Sequence, residues 1–127
     1  MKFNSLIPEL SVSNINKSKE FYLKIGFKIK YERKEDKFCF LELENNQIMI
    51  EENNNNWNTG ELEYPYGRGI NISMSISDVE KLYKTLKKKI NFFLDLEVHK
   101  YQVDDKTYYD KEFLIQDPDG YLLRFNN

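Results

Sequence analysis

The first half of the chain changes from a strand-like to a helix-like pattern of apolar positions. Residues 6–12 alternate apolar and polar side chains, which predicts a half-buried strand. Apolar side chains then recur at helical spacing over residues 15–25, with Ser13-Asn14 as a helix cap and Gly26 as a stop. Three more strands are predicted after Gly26, with Asn45-Asn46 as a tight hairpin turn between the last two: residues 27–33, 38–44 and 47–52.

The second half repeats this order of elements. Residues 70–76 alternate again, and Ser77-Asp78-Val79-Glu80 predicts a capping box at the start of a second helix. Ser77 follows Ser13 by 64 residues, about half the chain, and the local order of residue types matches around both positions. Three strands are again predicted after the helix: residues 92–101, 108–116 and 121–125.

These patterns predict an α+β fold of two βαβββ modules that form a curved mixed sheet with a cleft. Module one is expected over about residues 1–53 and module two over 69–127, in a single domain of residues 1–127. The polar segment 54–68 is the connection between them. A segment of this length without predicted structure usually has a functional role or is disordered.

Composition narrows the class of protein. The chain of 127 residues has 40% hydrophobic and 31% charged residues and a net charge of −2, so no global positive field favours nucleic acid. The run Lys87-Lys88-Lys89 is interpreted as a solvated helix face. No segment has the length or apolarity of a membrane span or signal peptide, and the single Cys39 cannot form an internal disulfide. We therefore expect a cytoplasmic protein with no membrane or nucleic-acid partner.

Four segments carry a family resemblance: IPELSVSN, KSKEFYLKIGFK, GELEYPYGRGIN and EFLIQDPDGYLLRF. They resemble the bleomycin resistance proteins of the glyoxalase/dioxygenase (vicinal oxygen chelate) superfamily, in order and over nearly the whole chain. The resemblance implies a homodimer of paired βαβββ modules that sequesters a cationic glycopeptide drug in clefts between subunits.

The same resemblance provides a test for a catalytic metal. Enzymes of this superfamily place His and Glu ligands at four strand positions, which correspond here to Ile7, Met49, Asn71 and Arg124. These side chains do not form an ordinary metal site, and the chain has one histidine, His99. We therefore expect no metal, no cofactor and no catalysis of the family type. His99 is interpreted as a structural or surface residue, and Glu97 is the only nearby carboxylate that could orient its imidazole.

Candidate ligand-binding residues are aromatic or acidic. Phe38 and Tyr109 match family positions that carry cleft aromatics, and Trp57 is an unexpected aromatic within the polar connection. Such rings can stack on a planar heteroaromatic group such as the bithiazole of a bleomycin-type drug. Carboxylates can attract its positive charge. The complete predicted set is Phe38, Met49, Glu51, Trp57, Tyr64, Asn71, Tyr109 and Asp110.

The sequence therefore predicts a metal-free binding protein that captures a bleomycin-type antibiotic and confers resistance. Two alternatives stay open. One is a binding module for another antibiotic or a metabolite, in which Arg68 and Arg124 would favour an anion. The other is a lyase- or dioxygenase-type enzyme on the same fold, which the single histidine and Arg124 disfavour.

Overall fold

The computed structural model describes residues 2–127 as two compact units. The first unit extends to Tyr66 and also contains Asp117–Gly120, and the second consists of Gly67–Gln116 and Tyr121–Asn127. The turn at 117–120, which the sequence places in the second module, thus packs with the first unit. The single-domain organisation and its module boundaries stay a prediction.

The first unit has one strand, one helix and three further strands. In chain order these elements are β1 (Glu9–Val12), α1 (Ile15–Lys24), β2 (Lys28–Arg33), β3 (Phe38–Leu43) and β4 (Asn46–Glu52), with a short 3-10 helix (Lys34–Asp36) between β2 and β3. The sheet order is β1-β4-β3-β2, with β1 parallel to β4 and the other pairs antiparallel. β1, which begins directly after Pro8, is an edge strand of this sheet. The hairpin turn is at Glu44-Asn45, one residue before the predicted pair, because Leu43 pairs with Asn46.

The second unit repeats this topology. Its elements are, in order, β5 (Asn71–Ser75), α2 (Val79–Leu86), β6 (Leu94–Val103), β7 (Lys106–Gln116) and β8 (Leu122–Asn126). The sheet order is β5-β8-β7-β6, and β5 is parallel to β8. The α+β prediction of two βαβββ modules is therefore confirmed, with a mixed sheet of four strands in each unit.

Both helices begin where caps are predicted, but the N-cap of the second helix is Asp78 and not Ser77, the first residue of the predicted capping box. The Asn14 side chain accepts a hydrogen bond from the Lys17 amide, and the Asp78 side chain accepts one from the Lys81 amide. Each bond satisfies an amide that has no partner within its helix. Among residues 2–127, neither helix is long and apolar enough to cross a membrane.

Each sheet buries one face beside its helix. In the first unit, Glu32 of β2 pairs with Cys39 of β3 and accepts a hydrogen bond from Lys19 of α1, so this side of the sheet faces the helix. The buried apolar residues on that side are Leu10, Val12, Cys39, Leu41, Ile48 and Ile50. In the second unit, the corresponding core contains Met74, Phe113, Ile115, Leu123 and Phe125. The opposite face of each sheet is left for other contacts.

Candidate functional site

The face of the first sheet that points away from α1, here called the first face, carries two rows of side chains. Because strand residues alternate between faces, pairing across the sheet defines each row. One row contains Glu9, Met49, Phe40 and Tyr31. The next row contains Ser11, Glu51, Phe38 and Arg33. The predicted residues Phe38, Met49 and Glu51 therefore lie next to one another.

Aromatic rings form a continuous surface on β2 and β3. Tyr31 stacks on Phe40 with ring centres 5.2 Å apart and an interplanar angle of 14°, and its centre lies 5.8 Å from that of Phe38. The Arg33 guanidinium lies 4.1 Å from the centre of the Phe38 ring. A flat cationic group is thus already stacked on the first face. Tyr31 and Arg33 were not among the predicted site residues.

These contacts with Tyr31 and Arg33 also cover the rings of Phe38 and Phe40. Phe38 is only 4% exposed and Phe40 only 1%. Phe38 therefore differs from the open cleft aromatic that the sequence suggests, because Arg33 lies over it. A ligand that stacks on Phe38 must exchange places with this guanidinium.

Glu51 supplies a carboxylate beside the aromatic rings. It pairs with Phe38 on one side and with Ser11 on the other, and its Oε1 accepts a hydrogen bond of 3.0 Å from Asn54 Nδ2. The first face thus combines aromatic rings with negative charge, which is the chemistry that attracts and stacks a flat cation.

The second sheet carries a charged network on its corresponding face, here called the second face. Glu112 Oε2 accepts a hydrogen bond of 2.7 Å from Arg124 Nε, and Glu112 Oε1 lies 3.6 Å from His99 Nε2. His99 Nε2 is also 3.0 Å from Glu97 Oε1. The local carboxylate expected for His99 is therefore in contact with it, and Glu112 is a second one that strand pairing brings close.

Asn71 and Asp110 both lie on the second face, but at opposite ends. Asn71 is exposed on the edge strand β5 beside Leu122, whereas Asp110 pairs with His99. Two rows of the sheet separate them, so the structure does not bring these two predicted residues together.

Tyr109 points to the side of β7 that carries Phe113, away from Asp110. It is exposed and pairs with Lys100. Tyr108 shares the second face with Asp110 and stacks on Tyr101 with ring centres 5.5 Å apart. The predicted residues Tyr109 and Asp110 therefore lie on opposite faces of the sheet. Strand alternation alone favours Tyr108, because it is two residues from Asp110.

The two aromatics predicted in the connection are both on the surface. Trp57 is 89% exposed and has a positive φ of 61°, and Tyr64 is also exposed. These side chains are accessible to a ligand or partner, and their roles stay predictions.

The residues at the family's metal positions do not fit a metal ion. Ile7 offers a hydrocarbon side chain, Met49 a neutral thioether, and Arg124 a cation that is already paired with Glu112. Within residues 2–127, no group of three or more His, Cys, Asp or Glu side chains is arranged so that it could hold a metal ion. Divalent zinc, iron or nickel requires imidazole, carboxylate or thiolate donors, which these positions lack.

Cys39 is expected to be chemically inert in the folded protein. Its side chain is fully buried, and burial, together with the nearby Glu32 carboxylate, raises the pKa of the thiol to about 11. At about pH 8 only about one thiol in a thousand would be ionised. Titration with Ellman's reagent should detect one thiol after unfolding in urea and almost none before it. Rapid reaction of the native protein would contradict this burial.

Comparisons with known proteins agree with this architecture. A family model described as the glyoxalase/bleomycin resistance protein/dioxygenase superfamily matches residues 3–125. A member of that superfamily from Vibrio splendidus 12B01 is 35% identical, with 93% of this chain and 92% of that chain covered and a TM-score of 0.45. No protein with a curated description matches the chain at a significant level.

Two more distant structures share the fold. TioX from Micromonospora sp. ML1 is 13% identical, with 98% of both chains covered and a TM-score of 0.74. A bleomycin-binding protein in complex with bleomycin is 16% identical, also with 98% of both chains covered, and has a TM-score of 0.66. At such low identities, the likeness concerns the fold alone.

Proposed function

Because the chain belongs to the glyoxalase/bleomycin resistance protein/dioxygenase superfamily, we propose that it is a metal-free, homodimeric binding protein that sequesters a bleomycin-type antibiotic. Capture would be stoichiometric and would protect a cell by lowering the free drug concentration. A cytoplasmic location and a role in antibiotic resistance are parts of this proposal.

The observation that best supports the proposal is the surface of stacked aromatic rings on the first face. The Arg33 guanidinium, 4.1 Å from the centre of the Phe38 ring, supports this because it is a flat cation stacked on the same surface. A planar heteroaromatic ring linked to a positive charge would use the same contact, with the adjacent Glu51 as counter-charge. Phe38, Met49 and Glu51 are therefore the proposed centre of the site.

Residues outside the first face are proposed as secondary contacts. Asn71 and Asp110 offer polar groups on the second face, and the exposed rings of Trp57, Tyr64 and Tyr109 are accessible for contact with a large ligand. A glycopeptide drug is large enough to use several separate contacts, and a homodimer would supply each of them twice.

A binding role is favoured over catalysis by the chemistry of the metal positions. Lyase and dioxygenase chemistry on this fold requires a Lewis acid, and Ile7, Met49, Asn71 and Arg124 are poor ligands for one. An anionic metabolite is the other ligand class left open. It is less favoured because Glu112 already neutralises Arg124 at 2.7 Å.

Calorimetric titration with bleomycin, metal-free and copper-loaded, tests the proposal. We expect one drug per subunit and a Kd below about 1 μM, because weaker binding would give little protection. Phe38→Leu keeps the apolar volume but removes the ring, so it should weaken binding by about two- to tenfold. Light scattering on the same sample would measure the expected dimer.

Phe93→Leu is the matched control, because Phe93 is an exposed ring outside the first face. It should leave the affinity unchanged. Absence of heat and of any shift in melting temperature at drug concentrations well above micromolar would reject bleomycin as the ligand. Stoichiometric metal in the purified protein, or turnover of methylglyoxal–thiol adducts, would instead favour an enzyme.

A further inference from the structure

The N-terminal strap, residues 2–6, lies on the first face without forming a strand. The Phe3 ring meets Phe40 edge-on, with ring centres 5.4 Å apart and an interplanar angle of 89°. Phe40 in turn stacks on Tyr31. Phe3 is therefore the outermost ring of the aromatic surface, in contact with the row that contains Met49.

One buried side chain anchors this strap. Gln47 of β4 is 5% exposed, and its amide bonds to two backbone groups of the strap. Its Nε2 donates to the Lys2 carbonyl at 2.7 Å, and its Oε1 accepts from the Asn4 amide at 2.7 Å. Gln47 Nε2 also donates to Glu42 Oε2 at 2.7 Å, which orients the amide on the first face.

Apart from the backbone groups bonded to Gln47, the residues of the strap are exposed. Phe3 itself is 54% exposed although it covers a ring that is 1% exposed, and Leu6 is exposed as well. Besides the Gln47 anchor, the strap has one exposed hydrogen bond of 2.7 Å, from Asn4 Nδ2 to the Asn45 carbonyl. A segment with so few polar bonds and little buried apolar area opens at a small free-energy cost compared with the core. Displacing the strap would uncover Phe40 without unfolding the sheet.

We propose that the strap is a displaceable cover and that Phe3 occupies the position of a ligand ring on Phe40. A flat aromatic cation would replace Phe3, stack on the Phe40–Tyr31 pair and find a carboxylate at Glu9 on the same face. This inference rests on the proposed function in one respect: it takes from it that the ligand is a flat aromatic cation. It adds a second ring position beside Phe38 and makes the strap a determinant of affinity.

The Phe3 ring and a ligand would therefore compete for the same position on Phe40. A ligand that binds only the uncovered face has an apparent affinity reduced by the fraction of molecules that are uncovered. Loss of the Phe3 ring removes the competitor, so affinity should rise rather than fall. A purely structural role for Phe3 predicts the opposite sign.

Titration of wild type and Phe3→Ala with two probes tests this competition. The probes are bleomycin and ethidium, a flat aromatic cation unrelated to the antibiotic. Phe3→Ala should bind a probe about two- to tenfold more tightly than wild type, the range expected for loss of one aromatic contact. Gln47→Ala, which removes the anchor, should act in the same direction.

Leu6→Ala is the matched control, because Leu6 is an exposed apolar residue of the same strap. It should leave affinity unchanged. Hydrogen exchange provides a readout without ligand: the Asn4 amide, bonded to Gln47, should be protected in wild type and exchange faster in Gln47→Ala.

The outcomes separate this inference from the proposed function. Tighter ethidium binding by Phe3→Ala without any bleomycin binding would support the strap and reject the antibiotic. Equal or weaker binding of bleomycin by Phe3→Ala would overturn the strap proposal and leave capture of the drug intact. If neither probe binds any variant, the displaceable cover is rejected.

Discussion

Replacing Gly120 with alanine is expected to lower the free energy of unfolding by about 3 kcal/mol. Gly120 has a φ of +94°, which L-residues rarely adopt. An added Cβ would lie 2.6 Å from both Cα and Cβ of Pro65. Since the obstacle includes backbone, the strain cannot be relieved by rotation of a flexible side chain. Urea denaturation of wild type and Gly120→Ala would measure the difference.

Gly60→Ala is the matched control for this substitution. No atom lies within 4 Å of the position that its Cβ would take, so little change in stability is expected. A Gly120→Ala variant as stable as the Gly60→Ala variant would show that the turn after Asp119 can move away from Pro65.

Replacing Tyr22 with phenylalanine should cost about 1–3 kcal/mol of stability. Tyr22 is fully buried, and its hydroxyl donates a hydrogen bond of 2.8 Å to Oδ2 of the buried Asp117. Loss of the hydroxyl removes a donor from a carboxylate that has little access to water, which is more costly than loss of a bond at the surface. Thermal and urea unfolding would measure the effect.

Tyr83→Phe provides the comparison, because it also removes a tyrosine hydroxyl bonded to an aspartate. The Tyr83 hydroxyl donates to Asp95 Oδ1 at 2.9 Å in an exposed position, where water can replace it. We expect a change well below that of Tyr22→Phe. Equal losses in the two variants would mean that burial of Asp117 does not govern the cost.

Local patterns were sufficient to predict most elements of the fold. Alternation and helical spacing are properties of neighbouring residues, and so are the caps at Asn14 and Asp78. The attachment of Asp117–Gly120 to the first unit was beyond these rules. It depends on partners such as Tyr22 that are 95 residues distant in sequence, and periodicity carries no information about them.

The candidate site was predicted in part for a similar reason. Phe38, Met49 and Glu51 could be placed on one face from alternation and from the β3–β4 hairpin. Tyr31 and Arg33 were missed because a one-residue irregularity separates Ile29, paired with Leu41, from Tyr31, paired with Phe40. Without that bulge, Tyr31 would pair with Cys39 and point toward α1. Nothing in the local sequence identified the bulge.

The Asp117–Gly120 turn also affects when, during synthesis of the chain, the first unit can be completed. The Ser13 amide bonds to Asp119 Oδ2, a partner 106 residues later in the chain. Before residues 117–120 have been synthesised, the first unit has its strands and helix but lacks the buried carboxylates of Asp117 and Asp119. Closing so long a loop carries an entropic cost that local contacts do not. The first unit is therefore completed only after the chain has been synthesised as far as this turn, which follows β7.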